Sequence, residues 1–576
     1  MRQIKKYMWK GERQEGVLFA IQRLDELLFF YTKDTYKAPI YNVKTLVWEY
    51  LDVCDKIDQN HLAEKNEIKI VEELVSRLES DKEARELIGD SLCKEFIKNH
   101  ESYGRCEERQ FVTLFHSSLI GERYFTLIKS NLLKAVQGTS KNEIDRLLLQ
   151  FVCEAKNVGY ESRYIYKCLN LQLLKSQNMS YEKFENFVNT FSGEKHQYKL
   201  LIEEQRELAD FCFNLTKVFK DISISEVSYD SICKDVDKAD KDSVFISIDS
   251  ITALDEYSAV ENAKSLIKTF DYFYLFYKHK LNVTDSRCYV WIDDKYIYVR
   301  PETKGIQKSI KGIKQDNLVK YAKRMFDFAT ENSDNFYDLI RIMDIHNTAV
   351  RMESSSNALL SLWSIPEMLL EKENAISTGS RINQIATMME PFLKCRYIYG
   401  LVNQFEDDFT RWNKQKYNEI ISNIHEGSNH VEKIYAFIVL DKYDGLRRDL
   451  YKELDDYPLL RYRLFSLNDS MKNNKKLKVM LKKHTEKTKW QIYRIYRARN
   501  CIIHDGENIN KIEDLLENLH NYIDELCRGI IENASTRESY FSVADSIYEM
   551  KIKNKFYMER LNQPINDNNL FEYLYF

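Results

Sequence analysis

Trp490-Gln-Ile-Tyr-Arg-Ile-Tyr-Arg-Ala-Arg-Asn-Cys-Ile-Ile-His-Asp-Gly506 decides the fold of the last third of the chain. Ile492, Ile495, Tyr496, Ile502 and Ile503 fall at helical spacing and anchor one face of a helix, and Gly506 is a natural helix stop. Outward from it, Ile512, Leu515, Leu519, Ile523, Leu526 and Ile530 recur at three- and four-residue steps. Helical stretches are expected over 354–372, 380–415, 484–505 and 510–532, which together make an antiparallel helical bundle. One further helix is expected beyond Thr536, then a loose aromatic end, Phe571-Glu-Tyr-Leu-Tyr-Phe576.

Upstream of the bundle the period changes. Val244, Ile246 and Ile248 alternate with Phe245, Ser247 and Asp249, the signal of a strand. Asp255 is placed to N-cap a helix carrying Val260, Ala263, Ile267, Phe270, Tyr274 and Tyr277. Tyr289-Val-Trp-Ile292 and Tyr296-Ile-Tyr-Val299 flank Asp293-Asp294-Lys295 as a hairpin ending at Pro301. Residues 1–240 read as helix after helix, with stripes at Val17, Ile21, Leu24 and Leu28 and at Ile70, Leu74 and Leu78. The expected architecture is mainly α. A multi-helical domain (1–240) with a sensing or regulatory role precedes a small α+β unit (241–330) and a C-terminal helical bundle with its tail (331–576).

Bulk composition agrees. A chain of 576 residues is too long for one hydrophobic core. Its 16 Gly and 6 Pro disfavour turn-rich all-β folds, and 38 Tyr with 30 Phe can fill several helix-packed cores. The 11 Cys are scattered from Cys54 to Cys527 with no paired spacing, which suits free thiols in a reducing cytoplasm and excludes a secreted disulfide scaffold. Met1-Arg-Gln-Ile-Lys-Lys has no apolar stretch behind its basic residues, so it does not read as a signal peptide. The longest apolar runs, such as Tyr435-Ala-Phe-Ile-Val-Leu440, are far shorter than the roughly 20 residues that span a bilayer, so no membrane association is expected.

The chemistry concentrates in the same stretch of the last third. Arg499 lies about one turn before His504, which sits at a helix C-terminus where the macrodipole favours an imidazolium. Arginine grips phosphate bidentately and histidine moves protons near neutral pH, the two functions that RNA cleavage without a metal requires. Spacing alone is weak, since Arg341-Ile-Met-Asp-Ile-His346 repeats it; there Asp344 stands where a phosphate would approach, and the pair is read as coincidence. Context distinguishes the two. Between Lys472 and Arg499 the sequence holds eleven Lys and Arg against one acid, Glu486, in a chain of net charge −4. That local excess is the footprint of a polyanion site. Lys482, Lys483, Lys487, Lys489, Arg494 and Arg497 are the expected RNA-binding residues, with Tyr493 and Tyr496 interleaved to stack on unpaired bases. The plainer alternatives are a solvated basic face with core tyrosines, and a His504 that is only a polar helix-end residue.

At these residues a family becomes recognisable. Arg499-Asn500-x3-His504 followed by Asp-Gly resembles the signature of HEPN domains, helical ribonuclease modules. The flanks look more closely like the Apea-like HEPN proteins of bacterial anti-phage, abortive-infection defence. Leu359-Leu-Ser-Leu-Trp363 with Glu367 resembles the helix that opens such domains, and Ile385-Ala-Thr-Met-Met-Glu-Pro-Phe-Leu393 the next one. Trp490 through Asn500 resembles the approach to the catalytic pair, and Leu254-Asp-Glu-Tyr-Ser-Ala-Val-Glu-Asn-Ala263 is similar to what precedes the bundle. The resemblance covers about residues 245–535. Pro366 departs from the pattern and predicts a kink, and 416–475 is long for a minimal HEPN bundle and reads as an insertion.

The resemblance implies an endoribonuclease of antiviral defence, with tRNA among its candidate substrates, built on a HEPN-type antiparallel helical bundle. Arg499, Asn500 and His504 would be its catalytic set, with no metal or other cofactor. His504 would act as base on a ribose 2′-hydroxyl or as acid toward the leaving 5′-oxygen, Arg499 would stabilise phosphate charge, and Asn500 would orient the substrate or the arginine. It further implies a homodimer, or a larger even-numbered assembly, that shares one composite site, and a phage-derived trigger sensed by residues 1–240. The alternative is a catalytically inactive HEPN module that binds RNA or mediates assembly in a defence or toxin–antitoxin system.

Overall fold

The computed structural model describes residues 8–9, 13–29, 32, 36–175, 178–216, 224–227, 236–237, 242–278, 286–300, 306, 319, 322–323, 326, 333–372, 380–506, 509, 511–534, 542–566 and 569–575. Met1-Arg-Gln-Ile-Lys-Lys6, Pro301, Asn510 and Phe576, on which sequence expectations fell, lie outside these. The chain is mainly helical, with a small five-stranded antiparallel sheet and a two-stranded parallel pairing of Met8–Trp9 with Asn178–Met179. It divides into two compact units, one of Tyr7–Pro39 with Phe125–Thr303, the other of Ile40–Tyr124 with Lys304–Phe576. This partition differs from the expected boundaries at 240 and 330: residues 40–124 belong with the C-terminal bundle, and 125–240 belong with the sheet.

In the first unit the sheet has five strands, β1 (His196–Gln205), β2 (Ile224–Val227), β3 (Ser243–Ala253), β4 (Cys288–Ile292) and β5 (Lys295–Val299). Their order is β2-β3-β1-β4-β5, and every pairing is antiparallel. The expected alternation in β3 holds: Val244, Ile246 and Ile248 enter one apolar cluster while Phe245 enters a cluster on the opposite face. Asp255 caps the Glu256–Lys278 helix as expected, accepting from the backbone N–H of Tyr257 at 2.9 Å and Ser258 at 2.8 Å. The hairpin turns on Asp293 and Asp294 alone, both left-handed (φ 50° and 59°), because a two-residue type I′ turn matches the twist of its strands; Lys295 already pairs with Ile292.

Strand β1 corrects the all-helical reading of residues 1–240. Lys199-Leu-Leu-Ile-Glu-Glu204 is composed mostly of helix formers, yet the segment is paired on both sides and occupies the sheet centre. Leu200 and Ile202 face the cluster under the Glu256–Lys278 helix, and Leu201 faces the other. Tertiary pairing and burial override weak local propensity.

In the second unit, eight helices position the site: α1 (Val43–Asp58), α2 (Lys65–Ser80), α3 (Ser333–Arg351), α4 (Ser355–Lys372), α5 (Arg381–Cys395), α6 (Asn474–Asp505), α7 (Ile512–Ala534) and α8 (Val543–Arg560). The core draws Leu359, Leu362 and Trp363 from α4, Met389 and Phe392 from α5, Ile492 and Ile495 from α6, and Leu519, Ile523 and Leu526 from α7. Each of these large side chains, fully buried, contributes about 1.5–3 kcal/mol relative to exposure. Helix α4 continues through Pro366 without interruption. The expected 380–415 helix is two, α5 and Tyr397–Trp412, parted at Arg396. The expected insertion, 416–475, is itself helical from Lys414–Ser422 through Pro458–Met471. The aromatic end is not loose, for Leu570, Tyr573 and Leu574 are buried and Tyr573 donates its hydroxyl to the carbonyl of Gln563 at 2.9 Å. Among the described residues every cysteine is a free thiol, and no helix is long and apolar enough to cross a membrane.

Candidate active site

The 32-residue helix α6 starts at Asn473, whose side chain accepts from the N–H of Lys475 at 2.9 Å, and stops at Gly506 in the left-handed conformation (φ 63°). Arg499, Asn500 and His504 occupy its last two turns. Arg499 donates from Nη1 to Asn500 Oδ1 at 3.1 Å, and its Nη2 lies 3.7 Å from Glu367 Oε1 on α4. Glu367 Oε1 also accepts from Trp363 Nε1 at 3.0 Å, and the buried Trp363 ring packs against Tyr496 at 5.9 Å. The two sequence stretches Leu359–Glu367 and Trp490–Asn500 therefore meet at one point, with a guanidinium that is a quarter exposed.

His504 is exposed at the end of α6 and, among the described residues, makes no side-chain hydrogen bond or ion pair. The next residue, Asp505, does: its carboxylate lies 2.9 Å from His61 Nδ1. Ile503, expected as a core anchor, is nearly half exposed at 47%. Positions 499 and 504 are five residues apart, so their Cβ directions differ by about 140° around the helix and by about 7.5 Å along it. One chain presents Arg499 toward α4 and His504 toward open solvent. Asn500, by contrast, is mostly buried beneath the arginine it accepts from.

The expected RNA-binding residues separate into two groups. Lys482 and Lys483 are exposed, Lys482 having a single loose partner in Glu486 at 3.6 Å. Lys475, Lys478 and Lys482 line one groove with Val479, Leu561 and Asn562. Lys487 is half-buried, and Lys489 is held 2.8 Å from Glu390, whose carboxyl lies low because Lys394 and Lys489 outweigh the effect of its burial. Arg494, Arg497 and Tyr493 are buried, which removes them from the expected RNA footprint; Tyr496 is half-buried against Trp363. Arg494 reaches Glu49 at 2.8 Å and Glu73 at 2.6 Å and lies over the Tyr41 ring at 4.4 Å; Arg497 reaches Glu49 at 2.6 Å. Burial alone would raise the Glu49 carboxyl, but the two guanidinium groups overcome it and hold it at about 2. Nothing local in the sequence marks Glu49 or Glu73, which are 445 and 421 residues away from Arg494.

The Arg341–His346 pair resolves differently. His346 turns to α7, where its Nε2 lies 2.9 Å from His520 Nε2 and 3.4 Å from Asp524 Oδ1. Burial keeps the His520 imidazole below its ordinary range. Compared with family models, with curated proteins and with solved structures, the chain matches none.

Proposed function

We propose that the protein is a HEPN-type endoribonuclease of antiviral, abortive-infection defence, with Arg499, Asn500 and His504 as its reacting set. The observation that carries this reading is an exposed histidine, without a side-chain hydrogen bond or ion pair among the described residues, about one turn beyond the Arg499–Asn500 pair at one helix terminus. In the reaction a ribose 2′-oxygen attacks phosphorus and the bond to the 5′-oxygen breaks. One imidazole takes the 2′ proton and another group returns a proton to the leaving oxygen, giving a 2′,3′-cyclic phosphate and a 5′-hydroxyl. Arg499 carries the charge that develops on the phosphoryl oxygens, and Asn500 fixes the arginine through its side-chain carbonyl.

Arg499 and His504 of one chain diverge around the helix, so a second copy supplies the complementary member of each pair. The exposed Ile503 beside His504 is the kind of apolar side chain that such a contact covers. Glu367 positions Arg499 at rest and competes with the incoming phosphate for it. RNA reaches the site from the exposed lysines at the opposite end of α6, roughly 33 Å away for Lys482, a span of several nucleotides.

The test uses purified full-length protein with total RNA and with tRNA, beside Arg499→Ala and His504→Ala. Cleavage leaving 2′,3′-cyclic phosphate ends in the wild type and in neither variant is the expected result. RNA binding without cleavage by the wild type would replace the nuclease with a catalytically inactive RNA-binding module.

A further inference from the structure

We propose that His346, His520 and Asp524 form a binding site for one divalent transition-metal ion of the zinc type, clamping α3 to α7. The site is separate from the Arg499–Asn500–His504 set and does not depend on the nuclease reading.

His520 and Asp524 stand at i and i+4 on α7, so both project from one face, a turn apart. His346 enters from α3, 174 residues earlier. The three ligand atoms all lie within 4.8 Å of one another. The two measured edges are 2.9 Å between the imidazole nitrogens and 3.4 Å from His346 Nε2 to Asp524 Oδ1. Zinc bonds of about 2.0–2.2 Å in a tetrahedron put neighbouring ligand atoms about 3.3–3.6 Å apart, so the two measured edges need to change by only a few tenths of an ångström, and the third, which is no longer than 4.8 Å, closes by at most about 1.5 Å through side-chain rotation.

The three side chains satisfy one another poorly. Only one proton fits between two facing Nε2 atoms, and the other Asp524 oxygen is 3.7 Å from His520 Nδ1, too far for a good hydrogen bond. Two imidazoles and one carboxylate favour zinc, cobalt or nickel over calcium or magnesium, which prefer oxygen. The side chains of His346 and Asp524 are 28% and 27% exposed, which leaves an entry path and a fourth position for water. His520 is mostly buried against the bundle, which fixes the ring that the ion would share.

The experiment strips full-length protein with a chelator, desalts it, and titrates zinc against a chromophoric competitor, with cobalt in parallel for its visible absorption. One ion per chain and a higher melting temperature with zinc are expected, because an ion bound only by the folded state stabilises it by mass action. His520→Gln and Asp524→Asn should each weaken uptake by about a hundredfold or more, since even outer-shell losses cost 10–100-fold. His346→Gln, at a partly exposed position, keeps the fold and should lose the ion equally. His430→Gln, away from the cluster, should bind as the wild type does. Absence of saturable one-ion uptake, unchanged affinity in His346→Gln, or uptake that disappears with His504→Ala would each overturn the assignment.

Discussion

Arg494 and Arg499 stand five residues apart on α6 and carry the same charge, yet their surroundings assign them opposite work. Arg494 is closed in by Glu49, Glu73 and the Tyr41 ring; Arg499 is partly open, and among the described residues its polar partners are Asn500 and, loosely, Glu367. Removing Glu49 leaves two guanidinium groups buried with too few acceptors, so Glu49→Ala should cost about 3–5 kcal/mol in denaturant unfolding. A loss below about 1 kcal/mol would show the network to be incidental. Because the folded Glu49 carboxyl is depressed to about 2, its contribution is complete above the unfolded value of 4.5 and disappears as pH falls from there toward about 2. In Glu49→Gln that part of the acid sensitivity should vanish. Arg499→Ala and His504→Ala should leave the melting temperature within a few degrees of the wild type while lowering cleavage by at least about a hundredfold. Wild-type cleavage by either variant removes that residue from the site. The Arg499-Asn500-x3-His504 pattern is legible in sequence because the residues are neighbours on one helix. The burial of Arg494 and Arg497 is not, because their partners lie more than four hundred residues upstream and a basic run looks alike whether it faces water or carboxylates.

Elements were legible where their period was strong and obscure where packing overruled it. The α7 stripe from Leu515 to Ile530 and the Asp255 cap follow directly from spacing and capping chemistry. Strand β1 was concealed by its helix-forming residues, and Pro366, where a kink was expected, sits inside the continuous helix α4. The start of α6 carries a second kind of information. Its first turn has no acid, and Lys475, Lys476 and Lys478 stand at the positive end of the helix dipole, an arrangement that an incoming anion relieves. Lys478→Gln combined with Lys482→Gln and Lys483→Gln should weaken RNA binding and lower the slope of log affinity against log salt by roughly two to three. An unchanged slope would make these lysines a solvated face. Where α7 crosses α5, a Cβ on Gly529 would meet the Phe392 ring at 2.5 Å, with Phe392 itself buried. Gly529→Ala should therefore destabilise by about 1–3 kcal/mol despite the better helix propensity of alanine, and a stabilised variant would show that the ring moves freely.

For the whole molecule, helical class was readable from composition and period, but the unit boundaries were not. Residues 40–124 join the C-terminal unit through contacts such as Glu49 to Arg497 and His61 to Asp505, which leave no local trace in sequence. That unit presents His504 and Ile503 outward, and the proposed chemistry turns on what meets them. A single chain offers one imidazole, whereas in-line transesterification removes a proton at one oxygen and delivers one at another. In the proposed mechanism, a two-fold contact through the end of α6 would place a second His504 at the scissile phosphate and bring Arg499 of one chain toward His504 of its partner. Light scattering should accordingly return a homodimer or a larger even-numbered assembly, and Ile503→Asp should shift it toward monomer and lower cleavage together. Mixed assemblies of Arg499→Ala and His504→Ala chains retain one arginine and one histidine from different copies. They should cleave above either parent variant and well below the wild type, because one proton transfer is then unassisted. No recovery would mean that both groups of both chains act as a unit. A strict monomer cleaving at the wild-type rate would end the shared-site mechanism altogether.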